Sequence, residues 1–175
     1  MLRVKLPFIP EHSAKPRQNG VTMVMDKGLS VGEARNLVDS GKEFIDFIKF
    51  GFGTSLITPS LEEKIKIYKE AGVNPYFGGT LFEIFIVRNK FDEYRKFVDS
   101  FGLEFVEVSD GSMELDFEQK LNYIRILAKD HKVLSEVGSK QESVHLSNEK
   151  WINMINNEIN AGSWKVIAEA RESGT

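Results

Sequence analysis

Short runs of β-branched and aromatic residues alternate with longer amphipathic stretches through most of the 175-residue chain. The short runs have the composition of strands, and the longer stretches carry apolar residues at helical spacing, as Leu61, Ile65 and Tyr68 do. Strands are predicted at residues 21–26, 44–50, 74–77, 105–109, 132–137 and 165–169. Helices are predicted at residues 30–40, 60–72, 81–100 with a break near Asn89, 116–130 and 147–161. This alternation indicates βαβ units around a parallel sheet.

The choice between an open parallel sheet and a closed barrel depends on where the polar residues lie. No G-x-G-x-x-G follows the first predicted strand, which disfavours an open sheet of the dinucleotide-binding kind. Nearly every predicted strand instead ends in a charged residue or a glycine-rich turn. In a (β/α)8 barrel the carboxyl ends of all strands converge on one mouth, where active sites lie. We therefore predict an α/β fold of the (β/α)8 TIM-barrel type.

Only about six βα units fit into the chain, whereas a (β/α)8 domain typically takes ~250 residues. We therefore expect these 175 residues to belong to a longer chain. Residues 1–20 are predicted to form a polar, proline-containing lead-in segment. Residues 21–175 are predicted to form the barrel domain, without its C-terminal units.

Charge and composition exclude several classes of function. The chain carries 23 Lys and Arg against 26 Asp and Glu, a net charge of −3, which provides no basic footprint for nucleic acid. It has no cysteine, so disulfides, thiolate metal sites and cysteine nucleophiles are excluded. No apolar run approaches the ~20 residues that span a bilayer, and the N-terminal apolar stretch is too short for a signal peptide. We expect a cytoplasmic homo-oligomer that acts on small molecules, without nucleic acid or membrane partners.

Charged residues gather at the predicted carboxyl ends of the strands. The acids are Asp26, Glu83, Glu107, Asp110, Glu136, Glu169 and Glu172, and the bases are Lys27, Lys49, Lys140 and Arg171. Carboxylates around one cavity repel each other, so such a site usually holds a cation, and without Cys or paired His the suited ion is a hard one such as Mg²⁺. Lys and Arg suit substrate phosphate or carboxylate groups, and the glycine-rich segments GFGTS and GGT let backbone amides approach an anion. The pattern predicts metal-assisted chemistry on a small, multiply anionic substrate.

Each of these residues also has an ordinary structural interpretation. A single carboxylate at a strand end is a turn or cap residue roughly half the time, and Asp110-Gly111-Ser112 alone is typical of a turn. The charged positions 62, 63, 64 and 66 are expected to form a solvated helix face without a functional role. The functional prediction therefore rests on the repetition of the pattern at six strand ends.

The strand-end segments also form an ordered series. They are DFIKFGFGTS at 46–55, FGGTLFE at 77–83, VEVSDGS at 106–112, LSEVGSK at 134–140 and EARESGT at 169–175. In order and spacing these segments resemble the signature blocks of the phosphosulfolactate synthase family. DKG at 26–28 and KPRQNG at 15–20 fit as well, so the resemblance runs from about Lys15 to the last residue.

The resemblance implies a Mg²⁺-dependent (β/α)8 enzyme of the carbon–sulfur lyase class. Such an enzyme adds sulfite to phosphoenolpyruvate and gives 2-phospho-3-sulfolactate, the type of step used in sulfolactate and coenzyme M biosynthesis. On this hypothesis Lys140 is the acid that protonates carbon, and Lys49 assists catalysis. The candidate substrate-binding residues are Lys27, Lys49, Gly79, Thr80 and Arg171. The candidate metal ligands are Glu107, Glu136, Glu169 and Asp110, with Glu83 as a weaker candidate.

Two alternatives stay open from sequence alone. The family includes heat-stress-associated relatives, so a non-catalytic, stress-related role is the first alternative. The second is another Mg²⁺-dependent enzyme that acts on a phospho-enolate with a nucleophile other than sulfite. Because sulfite, bicarbonate and sulfonates require similar cationic pockets, the sequence does not separate this alternative from the synthase.

Overall fold

The computed structural model describes residues 7–8, 13–139 and 147–170, which contain six strands and six helices; one helix follows each of the first five strands, except that two follow the third. The strands are β1 (Met23–Asp26), β2 (Phe47–Phe50), β3 (Asn74–Phe77), β4 (Phe105–Val108), β5 (Lys132–Ser139) and β6 (Ser163–Ala170). The helices are α1 (Val31–Gly41), α2 (Leu61–Glu70), α3 (Gly79–Ile86), α4 (Phe91–Ser100), α5 (Phe117–Leu127) and α6 (Asn148–Ala161). A short 3-10 turn at Thr54–Leu56 follows β2.

Local capping sequences explain where the helices begin and end. Ser30 and Glu33 form a capping box at the start of α1, and Asp116 and Ser147 cap α5 and α6 through their side-chain oxygens. The break predicted near Asn89 is confirmed, since Asn89 has a positive φ of 54° between α3 and α4. None of the helices in the described ranges is long and apolar enough to cross a membrane.

All strand pairs are parallel, and the strands form two sheets, in the orders β1-β2-β3 and β4-β5-β6. The ring of Phe47 on β2 lies 4.9 Å from that of Phe105 on β4 and 5.9 Å from that of Trp164 on β6. These contacts make the two sheets face each other, while the helices pack on the outer faces. The predicted parallel βαβ organisation is confirmed, and the arrangement is consistent with a partial TIM-type fold.

Side chains along each strand alternate between the helix layer and the space between the two sheets. Inward-facing Phe47, Tyr76, Phe105 and Leu134 form a small buried cluster. Two residues further along their strands, at positions of the same parity, come Lys49, Glu107 and Glu136. The space between the sheets is therefore apolar towards the amino ends of the strands and charged towards their carboxyl ends.

The lead-in segment is attached to the amino ends of the strands. The ammonium group of Lys15 donates to the carbonyl oxygens of Lys42 and Gly72, both at 2.9 Å. The guanidinium of Arg17 pairs with Asp46 at 2.9 Å, and both side chains are buried. A cavity of about 400 Å³ lies beside these contacts. Because these cations are bound by protein groups, this end of the molecule is an anchor for the segment that precedes β1.

Candidate active site

The strongest polar cluster lies inside the fold, where β2 of one sheet faces β4 and β5 of the other. Lys49 Nζ lies 2.6 Å from Glu107 Oε1 and 3.7 Å from Glu136 Oε2. Glu107 is fully buried and Glu136 nearly so, while the lysine side chain keeps 12% of its exposure. Lys49 thus pairs with two carboxylates, and all three residues were predicted from sequence as site residues. We call Lys49, Glu107 and Glu136 the central cluster.

The Gly78-Gly79 pair lets the start of α3 pack directly on the central cluster. The backbone N–H of Gly79 donates to Glu107 Oε1 at 2.6 Å. A Cβ at position 78 would lie 2.7 Å from Lys49 Cε, and one at position 79 would lie 2.5 Å from Ser109 Cβ and 2.9 Å from Glu107 Oε1. Both glycines are required by this close approach. The amide that sequence suggested for anion binding at position 79 is bonded to Glu107 here.

Burial and charge set the protonation preferences of the central cluster. Burial raises the pKa of Glu107, and Lys49 together with the Gly79 N–H partly offsets that rise. The pKa of the Tyr76 hydroxyl is raised well above its ordinary value by burial and by the adjacent Glu107 carboxylate. Tyr76 approaches Glu107 closely enough to interact, although its geometry falls short of a hydrogen bond. One lysine therefore faces two carboxylates in a largely dry environment.

The donor set of the central cluster fits a hard cation. Glu107 Oε2 is buried and has no hydrogen-bond partner in the part of the chain that the structure describes. Within that same part, no three Asp, Glu or His side chains gather closely enough to hold a metal ion by themselves. Mg²⁺ is usually held by only one or two carboxylates, with water and substrate phosphates as its other ligands. Glu107 and Glu136 match the number of carboxylates in a site of that kind.

Glu83 and Thr80 lie on α3, beside the central cluster. The buried carboxylate of Glu83 accepts a short hydrogen bond from the Ser109 hydroxyl and one from the Ser112 N–H at 3.2 Å. Glu83 thereby fixes the loop after β4. Thr80 is the second residue of α3 and is half-buried. Its role in substrate binding stays a prediction.

Asp26 ends β1 but faces the helix layer. Its register partner on β2 is Phe50, a residue of the helix-facing core. Asp26 Oδ2 lies 2.7 Å from Lys64 Nζ and accepts from the Tyr68 hydroxyl at 2.8 Å. The expectation that Lys64 belongs to a solvated helix face was wrong, because Lys64 is fully buried. Its apolar neighbours on the same helix face bury it, and Asp26 compensates its charge.

Asp110 also turns towards the helix layer. Its Oδ1 lies 2.8 Å from Nζ of Lys120 on α5, which also pairs with Glu158 on α6 at 2.8 Å. The same ammonium donates to the main-chain oxygen of Glu136 at 2.6 Å. We call Lys120, Asp110 and Glu158 the outer cluster. A metal-binding role for Asp110 stays a prediction, and the lysine already binds its carboxylate.

The other predicted site residues are more scattered. Lys27 is exposed, with its Nζ 5.3 Å from the centre of the Phe52 ring. Glu169 lies on β6, half-buried and in register with Gly138 of β5. The predicted acid Lys140, the predicted anion-binding Arg171 and Glu172 lie outside the described residues.

Sequence interpretation missed three polar residues that shape this region. Lys64 and Lys120 lie on the apolar faces of α2 and α5, with Ile65 and Leu121 as buried neighbours. A lysine on an apolar helix face is itself a signal for a buried partner, since a lone buried ammonium is too costly. Tyr76 lies beside Lys49 on the neighbouring strand and faces the same side of the sheet. Counting alternate residues along the predicted strand 74–77 could have indicated this side.

Comparison with known proteins places these residues in a family context. A sequence model of the family described as (2R)-phospho-3-sulfolactate synthase (ComA) matches residues 10–175. The phosphosulfolactate synthase of Bacillus subtilis is 40% identical over 169 residues, which cover 95% of this chain and 67% of that protein. The phosphosulfolactate synthase of Methanothermobacter thermautotrophicus is 39% identical over 170 residues, 94% of this chain and 66% of that protein.

A third relative, the phosphosulfolactate synthase of Methanocaldococcus jannaschii, is 41% identical over 163 residues, 90% of this chain and 64% of that protein. The chain therefore spans about two thirds of the length of the curated relatives that it matches. The family match covers both sheets and the central cluster. The chain belongs to the phosphosulfolactate synthase family.

Proposed function

We propose that the complete protein adds sulfite to phosphoenolpyruvate and forms 2-phospho-3-sulfolactate. One observation carries the proposal beyond family membership. Lys49, Glu107 and Glu136, which come from three of the segments that resemble the family's signature blocks, meet as one buried ion-pair cluster. An ammonium and two carboxylates at the carboxyl ends of parallel strands suit a small anionic substrate and a hard cation.

The reaction requires a site that stabilises negative charge on the substrate. The sulfur of sulfite attacks the methylene carbon of phosphoenolpyruvate, and the electrons of the carbon–carbon double bond move towards the carboxylate. The resulting enediolate carries an extra negative charge until the adjacent carbon takes a proton. Lys49 supplies a positive charge in a largely dry setting, where its electrostatic effect is strongest.

Mg²⁺ is the proposed cofactor, and Glu107 and Glu136 are its proposed protein ligands. When bound, Mg²⁺ would supply the positive charge that stabilises the enediolate oxygens. The unpartnered Oε2 of Glu107 supports this assignment within the described part of the chain. Lys49 keeps the two carboxylates close together despite their mutual repulsion. Gly79 fixes the orientation of Glu107 through its N–H.

Lys140 is the proposed acid that protonates the carbon, and Arg171 and Lys27 are proposed to bind the phosphate or carboxylate group of the substrate. These roles come from the resemblance of their segments to the family's blocks. A general acid of this kind typically contributes about 10²–10⁴-fold to the rate. Lys140→Ala should therefore lose turnover by that order, and full turnover in this variant would contradict the assignment.

The proposed function also includes closure of the complete protein into a (β/α)8 barrel. The two sheets already face each other through Phe47, Phe105 and Trp164, and the curated relatives extend beyond the part that this chain matches. Cytoplasmic location and a homo-oligomeric state remain predictions alongside it.

The test is a turnover assay on the complete protein with phosphoenolpyruvate, sulfite and Mg²⁺, with phosphosulfolactate detected by mass spectrometry. Product should form, vanish on chelation of the metal and return when Mg²⁺ is restored. Glu107→Gln should lower kcat by about 10²-fold or more, since it removes a proposed carboxylate ligand of Mg²⁺. Glu104→Gln is the matched control, because Glu104 lies exposed just before the other end of the same strand.

Absence of product from a folded, complete protein would overturn the proposal. A stress-related, non-catalytic role would then be tested through its loss in vivo. Turnover with another nucleophile in place of sulfite would instead identify a different phospho-enolate enzyme.

A further inference from the structure

The buried lysine of the outer cluster lies directly behind the central cluster. Lys120 Nζ is fully buried and donates at 2.6 Å to the main-chain oxygen of Glu136, whose side chain faces Lys49 from the other side of the strand. Glu136 is therefore held between two ammonium groups. Lys49 contacts its carboxylate on the inner face, and Lys120 binds its backbone on the helix face.

The outer cluster links three separate elements to this one point of β5. Asp110 lies on the loop after β4, and Glu158 lies on α6; both pair with Lys120 at 2.8 Å. Burial raises the pKa of Glu158, with Lys120 opposing that rise. The Ser163 hydroxyl on β6 donates to the Ser135 hydroxyl on β5 at 2.7 Å. This hydrogen bond links the two strands one residue before Glu136. β5 is thus fixed at Ser135 and Glu136 by charged and polar contacts.

A buried lysine lowers the stability of the fold, so its presence here calls for a role that an apolar residue could not fill. Burying an ammonium and two carboxylates loses hydration that their attraction only partly restores, and an apolar replacement is often no less stable. An apolar side chain would fill the space but would remove the hydrogen bond that Lys120 donates to the main-chain oxygen of Glu136. We propose that Lys120 is a positioning residue: it fixes the main chain at Glu136 so that the carboxylate of Glu136 stays on Lys49. The kinetic consequence rests on the proposed function, whereas the contact itself does not.

The test compares two variants with a stability control. Lys120→Met with Glu158→Gln removes the ammonium without leaving a buried, unpaired carboxylate on α6. Glu158→Gln alone keeps Lys120 and its bond to Glu136. Arg17→Leu breaks a buried ion pair at the opposite end of the strands and serves as a control for general loss of stability.

The first measurement is the rate at which an amine-acylating reagent labels Lys49, followed by mass spectrometry of the folded protein. Acylation should be faster by about fivefold or more in the Lys120→Met/Glu158→Gln variant, the factor that corresponds to a loss of ~1 kcal/mol. In Glu158→Gln and Arg17→Leu the labelling rate should stay within about twofold. An unchanged rate in the double variant would overturn the proposal.

The second measurement is steady-state turnover of phosphoenolpyruvate and sulfite. The double variant should lose about tenfold or more in kcat, because a small displacement of a site residue slows the reaction strongly. A thermal midpoint near that of Arg17→Leu would exclude general destabilisation as the cause of this loss. Equal losses of kcat in the double variant and in Arg17→Leu would contradict a positioning role.

If the unsubstituted protein shows no turnover, the proposed function fails. The labelling rate of Lys49 still tests the positioning role of Lys120 in that case. Should the double variant not fold, Lys120→Gln with Glu158→Gln replaces it. The glutamine amide can hydrogen-bond within the buried cluster but has a shorter side chain than lysine. The same labelling outcomes then support or overturn the proposal.

Discussion

Replacing Gly79 by alanine tests how closely α3 packs on the central cluster. A methyl group at this position would overlap Ser109 Oγ, and it would lie 2.5 Å from Ser109 Cβ and 2.9 Å from Glu107 Oε1. The serine can rotate its hydroxyl away, but its Cβ is fixed to the backbone of the segment after β4. Alanine therefore requires α3 and this segment to move apart, which also weakens the bond from the Gly79 N–H to Glu107.

The expected cost follows from two opposing effects. Overpacking of this kind costs about 1–3 kcal/mol, and the higher helix propensity of alanine returns at most about 1 kcal/mol. Gly79→Ala should therefore lose about 1–2 kcal/mol of unfolding free energy. Gly32→Ala is the matched control, since Gly32 also lies in the first turn of a helix, and no atom lies within 4 Å of the position that its new methyl group would occupy. That variant should gain about 0.5–1 kcal/mol.

Differential scanning calorimetry measures the contrast between the two variants. The midpoint of Gly79→Ala should lie about 3–12 °C below that of Gly32→Ala, at about 2–4 °C per kcal/mol for a chain of this size. Adding Ser109→Gly to Gly79→Ala should recover about 1 kcal/mol relative to the sum of the single effects, because the closest contacts disappear. Equal midpoints for the two alanine variants would refute the close packing of α3 on the central cluster.

Two further predictions concern the buried pair of Lys64 and Asp26. Lys64→Met should lower the free energy of unfolding in urea by about 3–5 kcal/mol, because it leaves a buried carboxylate without its ammonium. The exposed control Lys66→Met should change the free energy of unfolding by less than about 0.5 kcal/mol. A small effect at Lys64 would argue against its burial. Burial raises the pKa of Asp26, but hydrogen bonds from Lys64, Gly28 and other donors outweigh it, and the net pKa is lowered. Its stabilisation is therefore present above the unfolded-state pKa of 3.8 and is lost as pH falls through the lower folded-state pKa. Asp26→Asn should flatten this acid part of the stability profile, and an unchanged slope would contradict the assignment.

Much of the fold follows from local sequence. The strand predicted at 74–77 has the observed bounds of β3, and the helix predicted at 147–161 matches α6 to within its cap residue. Both are flanked by strong local signals, namely Gly72 with a positive φ and the Ser147 cap. The strand predicted at 165–169 is longer in the structure, because pairing of β6 with β5 extends it to Ser163–Ala170. Such pairing depends on distant residues and leaves little local trace.

The face on which a strand-end residue lies was the weaker part of the prediction. Asp26, Asp110 and Glu107 all lie at or near strand ends, yet only Glu107 of these three faces the space between the sheets. Parity along a strand decides this, and it can be counted from the apolar core residues of the same strand. Which cation then neutralises an outward carboxylate depends on helix packing, so Lys64 and Lys120 could be suspected from sequence but not paired.

The central claim is that the cluster around Lys49 carries out the addition of sulfite to phosphoenolpyruvate. The most direct test is the initial rate of phosphosulfolactate formation by the complete protein, by Lys49→Met and by Lys66→Met, all shown to be folded. We predict that Lys49→Met loses about 10²-fold or more in kcat, since it removes a positive charge that stabilises the enediolate, while Lys66→Met matches the unsubstituted protein. Equal rates for Lys49→Met and the unsubstituted protein would contradict the claim.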